Sequence, residues 1–214
     1  MNNLLFVGLG NKDQQYARTR HNLGADAVRA WVDLMRNNSD VTDWQYEAKA
    51  NSDVALVHLS SLRQTDQQSM STVSRFLVLL RPAVSDTVQV HCLIPAKGMN
   101  VSGESVAAYL RYHPLSNEDI TVVHDDLELP LGQVQLVVGG SAKGHNGVRS
   151  IHTQLNDQQI TRIRMGIGRP SDEISVDRYV LSKFLLQEQP KVAASIAQVG
   201  IQLTSIAQRP AQLT

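Results

Sequence analysis

Apolar residues run unbroken from Leu4 to Val7 and close on glycines at 8 and 10. Such a run predicts a strand buried on both faces, as in a parallel sheet, over residues 3–8. The rhythm then changes. Ala27, Val28, Trp31, Val32 and Met35 recur at helical spacing, which predicts a helix over 23–35. Strands are predicted at 53–59 and 88–94, the second ended by Pro95. Ser102 reads as an N-cap for a helix over 104–112. Residues 119–124 and 134–138 read as strands, the latter running into Gly139-Gly140. A helix over 146–155, a strand over 160–168 and a closing helical pattern over 187–208 complete the series. Strands alternating with helices predict an α/β fold around a mixed or largely parallel sheet. Residues 60–86 fit this alternation least. They open on a polar stretch, carry a helical pattern through 70–80 and read as an insertion at an edge.

Composition narrows the class. The chain has 214 residues, 42% hydrophobic and 19% charged, which suits one folded domain with at most a small appendage. No apolar run approaches the ~20 residues that span a bilayer, and the first residues carry no basic leader pattern. A protein of the cytoplasm, without membrane contact, is the expectation. Cys92 stands alone in an apolar strand pattern and reads as a packed thiol. Formal net charge is zero, which argues against an extensive nucleic-acid footprint over the whole surface. The distribution is less even. Residues 140–170 hold Lys143, Arg149, Arg162, Arg164 and Arg169 against Asp157 alone.

Ligands of such sheets gather beyond the carboxyl ends of strands. Four polar groups fall at predicted strand ends: Asn11 with His21-Asn22, His124-Asp125-Asp126, the glycine-rich residues 139–147, and Met99-Asn100. Together they bring a histidine, a carboxylate and several carboxamides to one crevice. Hydrolysis by activated water fits this set. A neutral histidine takes the proton, a carboxylate fixes its tautomer, and carboxamides hold the carbonyl and its developing charge. Each group also has a plainer reading. Asp125-Asp126 alone reads as a turn closed by Pro130 and Gly132, Asn100 as a helix cap, and the glycines as backbone geometry. His58, His91, His113 and His152 read as structural. Gly8-Leu9-Gly10 lacks the third glycine of a dinucleotide fingerprint, residues 139–143 lack a P-loop ending, and no serine sits in a nucleophile elbow. His21, His124, Asp125 and His145 match no standard metal spacing.

Five stretches occur in order: FVGLGNKDQQYARTRHNLG, GMNVSG, VVHDDLELPLGQVQL, GGSAKGHNGVRSI and RIRMGIGRP. Together they resemble the bacterial-type peptidyl-tRNA hydrolase family, over residues 4 to 184, with Tyr179-Val180-Leu181 matching a later family stretch. The resemblance implies a single α/β globule with a mixed twisted sheet, monomeric and without metal or organic cofactor. It implies cleavage of the ester between a peptide and the 3′ ribose of tRNA, so peptidyl-tRNA is the expected partner. In that frame His21 matches the catalytic histidine, Asp125 the acid that orients it, and Asn11 a further catalytic position. Tyr16, Met99, Asn100, His145 and Asn146 match site-lining or substrate-holding positions, and Lys143 and Arg164 are expected to meet tRNA. The chain departs from the family where Lys12-Asp13, Lys97-Gly98 and Ser141-Ala142-Lys143 stand. It departs too at Gln135 and Val137, where the resemblance would place tRNA-contacting lysines. Relatives on this fold also serve as non-catalytic partners in RNA splicing, and a small-ester hydrolase is a third reading.

Overall fold

In a computed structural model, residues 2–59 and 87–209 are described. The expected insertion over 60–86, with its helical pattern at 70–80, lies outside them. One eight-stranded sheet runs through the rest. Its strands are β1 (Asn2–Gly8), β2 (Asp40–Val41), β3 (Gln45–Glu47), β4 (Ser52–Leu59), β5 (Val88–Pro95), β6 (Ile120–Asp126), β7 (Val134–Val138) and β8 (Thr161–Gly166). Their order is β2-β4-β5-β1-β6-β8-β7, with β3 also paired to β4. β5, β1, β6 and β8 are parallel; β4 and its partners, and the edge pair β7–β8, are antiparallel. The sheet is therefore mixed, and its central parallel strands all end on one side.

Two apolar layers explain the unbroken run in β1. Phe6 points into one, where its ring meets Trp31 edge-on at 5.1 Å. Leu5 and Val7 point into the other, beside Val106, Tyr109 and Ile151. The first layer is covered by α1 (Leu23–Met35) and by the last helix (Gln189–Ala207), the second by α2 (Ser102–Leu110) and α3 (Asn146–Leu155). Between β8 and the last helix, α4 (Val176–Val180) is a single short helix, so the last helix is α5.

Several boundaries differ from the sequence reading. Ser102 lies inside the first turn of α2, and its hydroxyl donates back to the Met99 carbonyl at 2.9 Å rather than capping the amides. β6 continues through Asp125 and Asp126, with every residue buried, so the two acids are strand residues and not a turn. The 160–168 strand is shorter, Thr161–Gly166, and Gly168 beyond it takes a positive φ of 71°. β2, β3 and α4 are too short to show a period.

Candidate active site

The loop after β1 and the turn before α1 are locked to each other. Asn22 accepts the Asn11 N–H through its side-chain oxygen at 2.9 Å and donates its amide to the Asn11 carbonyl at 2.9 Å. Asn22 sits at the N-cap of α1 but spends its side chain on this clamp. Asn11 reaches on through its own side-chain oxygen, which accepts the Met99 N–H at 3.1 Å. Gly24 then lets α1 pass close to β6, where a Cβ would stand 2.2 Å from the Val123 carbonyl oxygen.

That close approach delivers His21 to Asp125. His21 Nδ1 and the Asp125 Oδ1 atom are 2.9 Å apart. His145 Nε2 meets the same oxygen at 3.0 Å. The other nitrogen of His145 accepts the Val148 N–H at 3.3 Å, so Nε2 carries the hydrogen and donates to Asp125. A carboxylate can only accept, so His21 likewise donates from Nδ1 and keeps the Nε2 lone pair. Next along β6, His124 Nδ1 lies 2.7 Å from the Asp125 backbone carbonyl and donates to it. Its Nε2 faces Arg162 Nη1 at 3.5 Å. The rings of His21, His145 and His124 follow one another with centroids 4.8 and 4.9 Å apart.

The electrostatics separate these groups. Burial works to raise the Asp125 pKa, but the charges and hydrogen bonds of His145 and His21 outweigh it and hold the carboxyl far below its usual range. Burial works to lower the His21 pKa. The Asp125 charge, its hydrogen bond and the Asp177 charge outweigh that and raise it above 6.5. His124 is pushed down by its burial and by His145, which keeps it neutral. The site thus pairs a fixed anion with a histidine poised to take a proton.

One crevice is lined by His21, Asp125, Lys143, His145 and Asn146, joined by Val176, Asp177 and Val180 from α4. Asn146 also lines a neighbouring polar cleft with Asn100, Glu104 and Arg149. Met99 is buried, and its sulfur rests where a Cβ on Gly147 would be 2.5 Å away. Tyr16 is half-buried in a short turn and lines neither recess. Arg164, expected to meet tRNA, is buried: Nε donates to Asp126 at 2.6 Å and Nη1 to Gln135 at 3.0 Å. Its charge serves an internal ion pair and does not reach the surface. Asp126, in turn, is held below its usual range: burial opposes this, but the Arg164 hydrogen bond prevails.

Some of the machinery was not visible in sequence. Arg162 is buried and donates from Nη2 to the carbonyls of Gly139 and Gly140 at 2.5 and 3.2 Å, bracing the loop that carries Lys143, His145 and Asn146. Arg20 is buried too, stacked near Tyr179 and Phe184 and paired with Glu188. Asp177 faces the crevice from α4. Two basic residues, Arg18 and Lys143, hold positive φ angles of 61° and 44°; for a non-glycine residue this costs about 1–2 kcal/mol.

A metal has its nearest match among the described residues in His21, Asp125 and His145, whose donor atoms lie within 4.8 Å of one another. Those atoms are already hydrogen-bonded to each other, and the remaining His145 nitrogen is taken by Val148. The set reads as a hydrogen-bond network.

Residues 5–213 match the family model described as peptidyl-tRNA hydrolase. A peptidyl-tRNA hydrolase of Anaeromyxobacter dehalogenans is 35% identical over 95% of this chain and 88% of that protein. One from Bacillus subtilis is 33% identical over 90% of this chain and 86% of that protein. Among solved structures, peptidyl-tRNA hydrolase from Acinetobacter baumannii superposes with a TM-score of 0.69 at 26% identity, covering 95% of this chain and 92% of that one.

Proposed function

The chain belongs to the peptidyl-tRNA hydrolase family, and on that basis we propose that it cleaves the ester between a peptide and the 3′ ribose of tRNA, with water activated by His21. The observation that carries the reading is the His21–Asp125 pair at 2.9 Å on the wall of an open crevice. With Nδ1–H held by Asp125, Nε2 takes the proton of a water aimed at the ester carbonyl. Asp125 stays ionised and stabilises the imidazolium that forms. The tetrahedral intermediate then expels the ribose 3′-oxygen, which recovers the proton from His21. An alkoxide leaves more readily than an amine, so no covalent nucleophile is required.

Asn11, Asn100 and Asn146 are assigned to holding the peptide and the developing oxyanion. A neutral carboxamide pairs with a peptide amide but gives a free ammonium little return for its lost water, which favours peptidyl- over aminoacyl-tRNA. We also infer a monomer acting where translation takes place. The support is that both faces of the sheet are covered by helices of the same chain and that no helix among the described residues is long and apolar enough to cross a membrane.

The test is turnover of N-acetyl-aminoacyl-tRNA by purified protein. Wild type is expected to release free tRNA, and His21→Ala to lose at least a hundredfold in kcat. A wild type without turnover, or full turnover by His21→Ala, would sink the reading.

A further inference from the structure

We propose that Lys143 binds the phosphate that links the terminal nucleotide of the tRNA to the rest of the strand, and so holds the 3′ ester over His21. This rests on the function proposed above and adds to it the group that grips the leaving nucleotide.

Three observations carry it. Lys143 lines the same crevice as His21, Asp125 and Asn146, and its side chain is exposed. Arg20 is engaged by Glu188, Arg164 by Asp126, Arg169 by Glu128, and Arg162 by the carbonyls of Gly139 and Gly140, while Arg149 lines the neighbouring cleft and donates to Asn146 Oδ1 at 3.3 Å. Among the described residues Lys143 has no carboxylate within ion-pair distance. Last, Lys143 stands at φ 44° in a loop whose glycines 139, 140 and 144 all take positive φ. A glycine at 143 would relax this backbone. A lysine kept there against strain points to work done by its side chain.

The loop is also fixed in place. Arg162 braces its start, and the His145 N–H donates to the Ala142 carbonyl at 2.8 Å across Lys143 itself. The ammonium is therefore carried by a rigid turn beside the reacting centre. A phosphodiester is a compact monoanion that an ammonium meets as a point charge. The phosphate nearest the scissile ester is the one on the same terminal nucleotide. Holding it restricts the ester to the position that faces His21.

The experiment compares two small substrates, the N-acetyl-aminoacyl ester of adenosine and that of the dinucleotide cytidylyl-adenosine, which adds the phosphate in question together with a cytidine. Wild type is expected to prefer the dinucleotide ester about tenfold in kcat/KM. Lys143→Gly is expected to bring this ratio close to one, and Lys143→Arg to retain most of it. On N-acetyl-aminoacyl-tRNA, Lys143→Gly should lower the slope of log kcat/KM against log salt by about 0.7, the loss of one single-strand phosphate contact. Lys143→Gly should also melt no lower than wild type, which separates this outcome from misfolding. An undiminished dinucleotide preference in Lys143→Gly, including equal losses on both esters as expected of an oxyanion contact, would overturn the proposal, as would an unchanged salt slope. Failure of wild type on the full tRNA substrate would instead remove the functional reading, and this proposal with it.

Discussion

Arg20 and Glu188 stand 168 positions apart in the chain and meet beside the turn that carries His21, with Arg20 Nη2 at 2.9 and 2.8 Å from the two carboxylate oxygens. Arg20 Nη1 adds a bond to the Lys183 carbonyl at 3.1 Å, and the Arg20 N–H one to the Ser182 carbonyl at 3.0 Å. The residue next to the proposed general base is thus an anchor and not a substrate contact. Glu188→Gln leaves a buried guanidinium without its counter-charge, which costs about 3 kcal/mol. A lower urea midpoint is expected together with a fall in kcat on N-acetyl-aminoacyl-tRNA. Wild-type stability in Glu188→Gln would show that the pair does not hold the turn.

Activity should rise with pH as His21 loses its proton, because only the neutral ring accepts one. Asp177 helps to raise the pKa of this group. Asp177→Asn therefore moves the acid limb of kcat/KM to lower pH. The effect on stability has the opposite sense. A histidine whose folded pKa exceeds 6.5 contributes stability that is complete below 6.5 and fades as pH rises through the folded value. Measured pH–rate profiles decide the matter, and coincident acid limbs in the two proteins would count against it.

Gly24 is the contact point of α1 on β6. In Gly24→Ala the new methyl must displace backbone, since its Cβ falls 2.2 Å from the Val123 oxygen. The helix start shifts, and His21 moves with it. A loss of about 3 kcal/mol in chemical denaturation is expected, with kcat reduced more than KM is raised. Crystals of the variant with the His21–Asp125 distance intact would refute this account.

His91 provides a test away from the site. It is buried beside the Tyr109 hydroxyl, 2.6 Å from Nδ1, with the His113 ring near it. Burial, and to a lesser degree His113 and His58, lowers its pKa from 6.5 to about 4. The unfolded chain binds a proton here below pH 6.5 while the folded chain refuses it until about pH 4. Stability is therefore lost as pH falls through that window, by about 3 kcal/mol from this group. His91→Gln should show a shallower acid loss in urea titrations at pH 7 and 4.5.

The two amphipathic helices were legible to the residue, α1 at Leu23–Met35 and α3 at Asn146–Leu155, because their apolar stripes are local and strong. The strands of the sheet centre were legible too, β1 as an unbroken apolar run. α4, β2 and β3 were not, since two to five residues hold no period and owe their form to what they pack against. The site divides in the same way. His21, Asp125, Lys143, His145 and Asn146 were named from sequence, and they line one crevice. Arg164 was expected to meet tRNA, and nothing near it in sequence announces Asp126, its partner across the sheet. Asp177 went unnoticed, and Arg162 was counted only as part of a basic region, for the matching reason: their relation to His21 and to Gly139 exists only once α4 and β8 are in place.

The placement of His21 also imposes an order in time. A chain leaves the ribosome from its amino end, so His21 emerges before Asp125. Glu188, which fastens the neighbouring Arg20, emerges later still. Until then the nascent chain, itself esterified to a tRNA, carries the proposed general base without the partners that arm it.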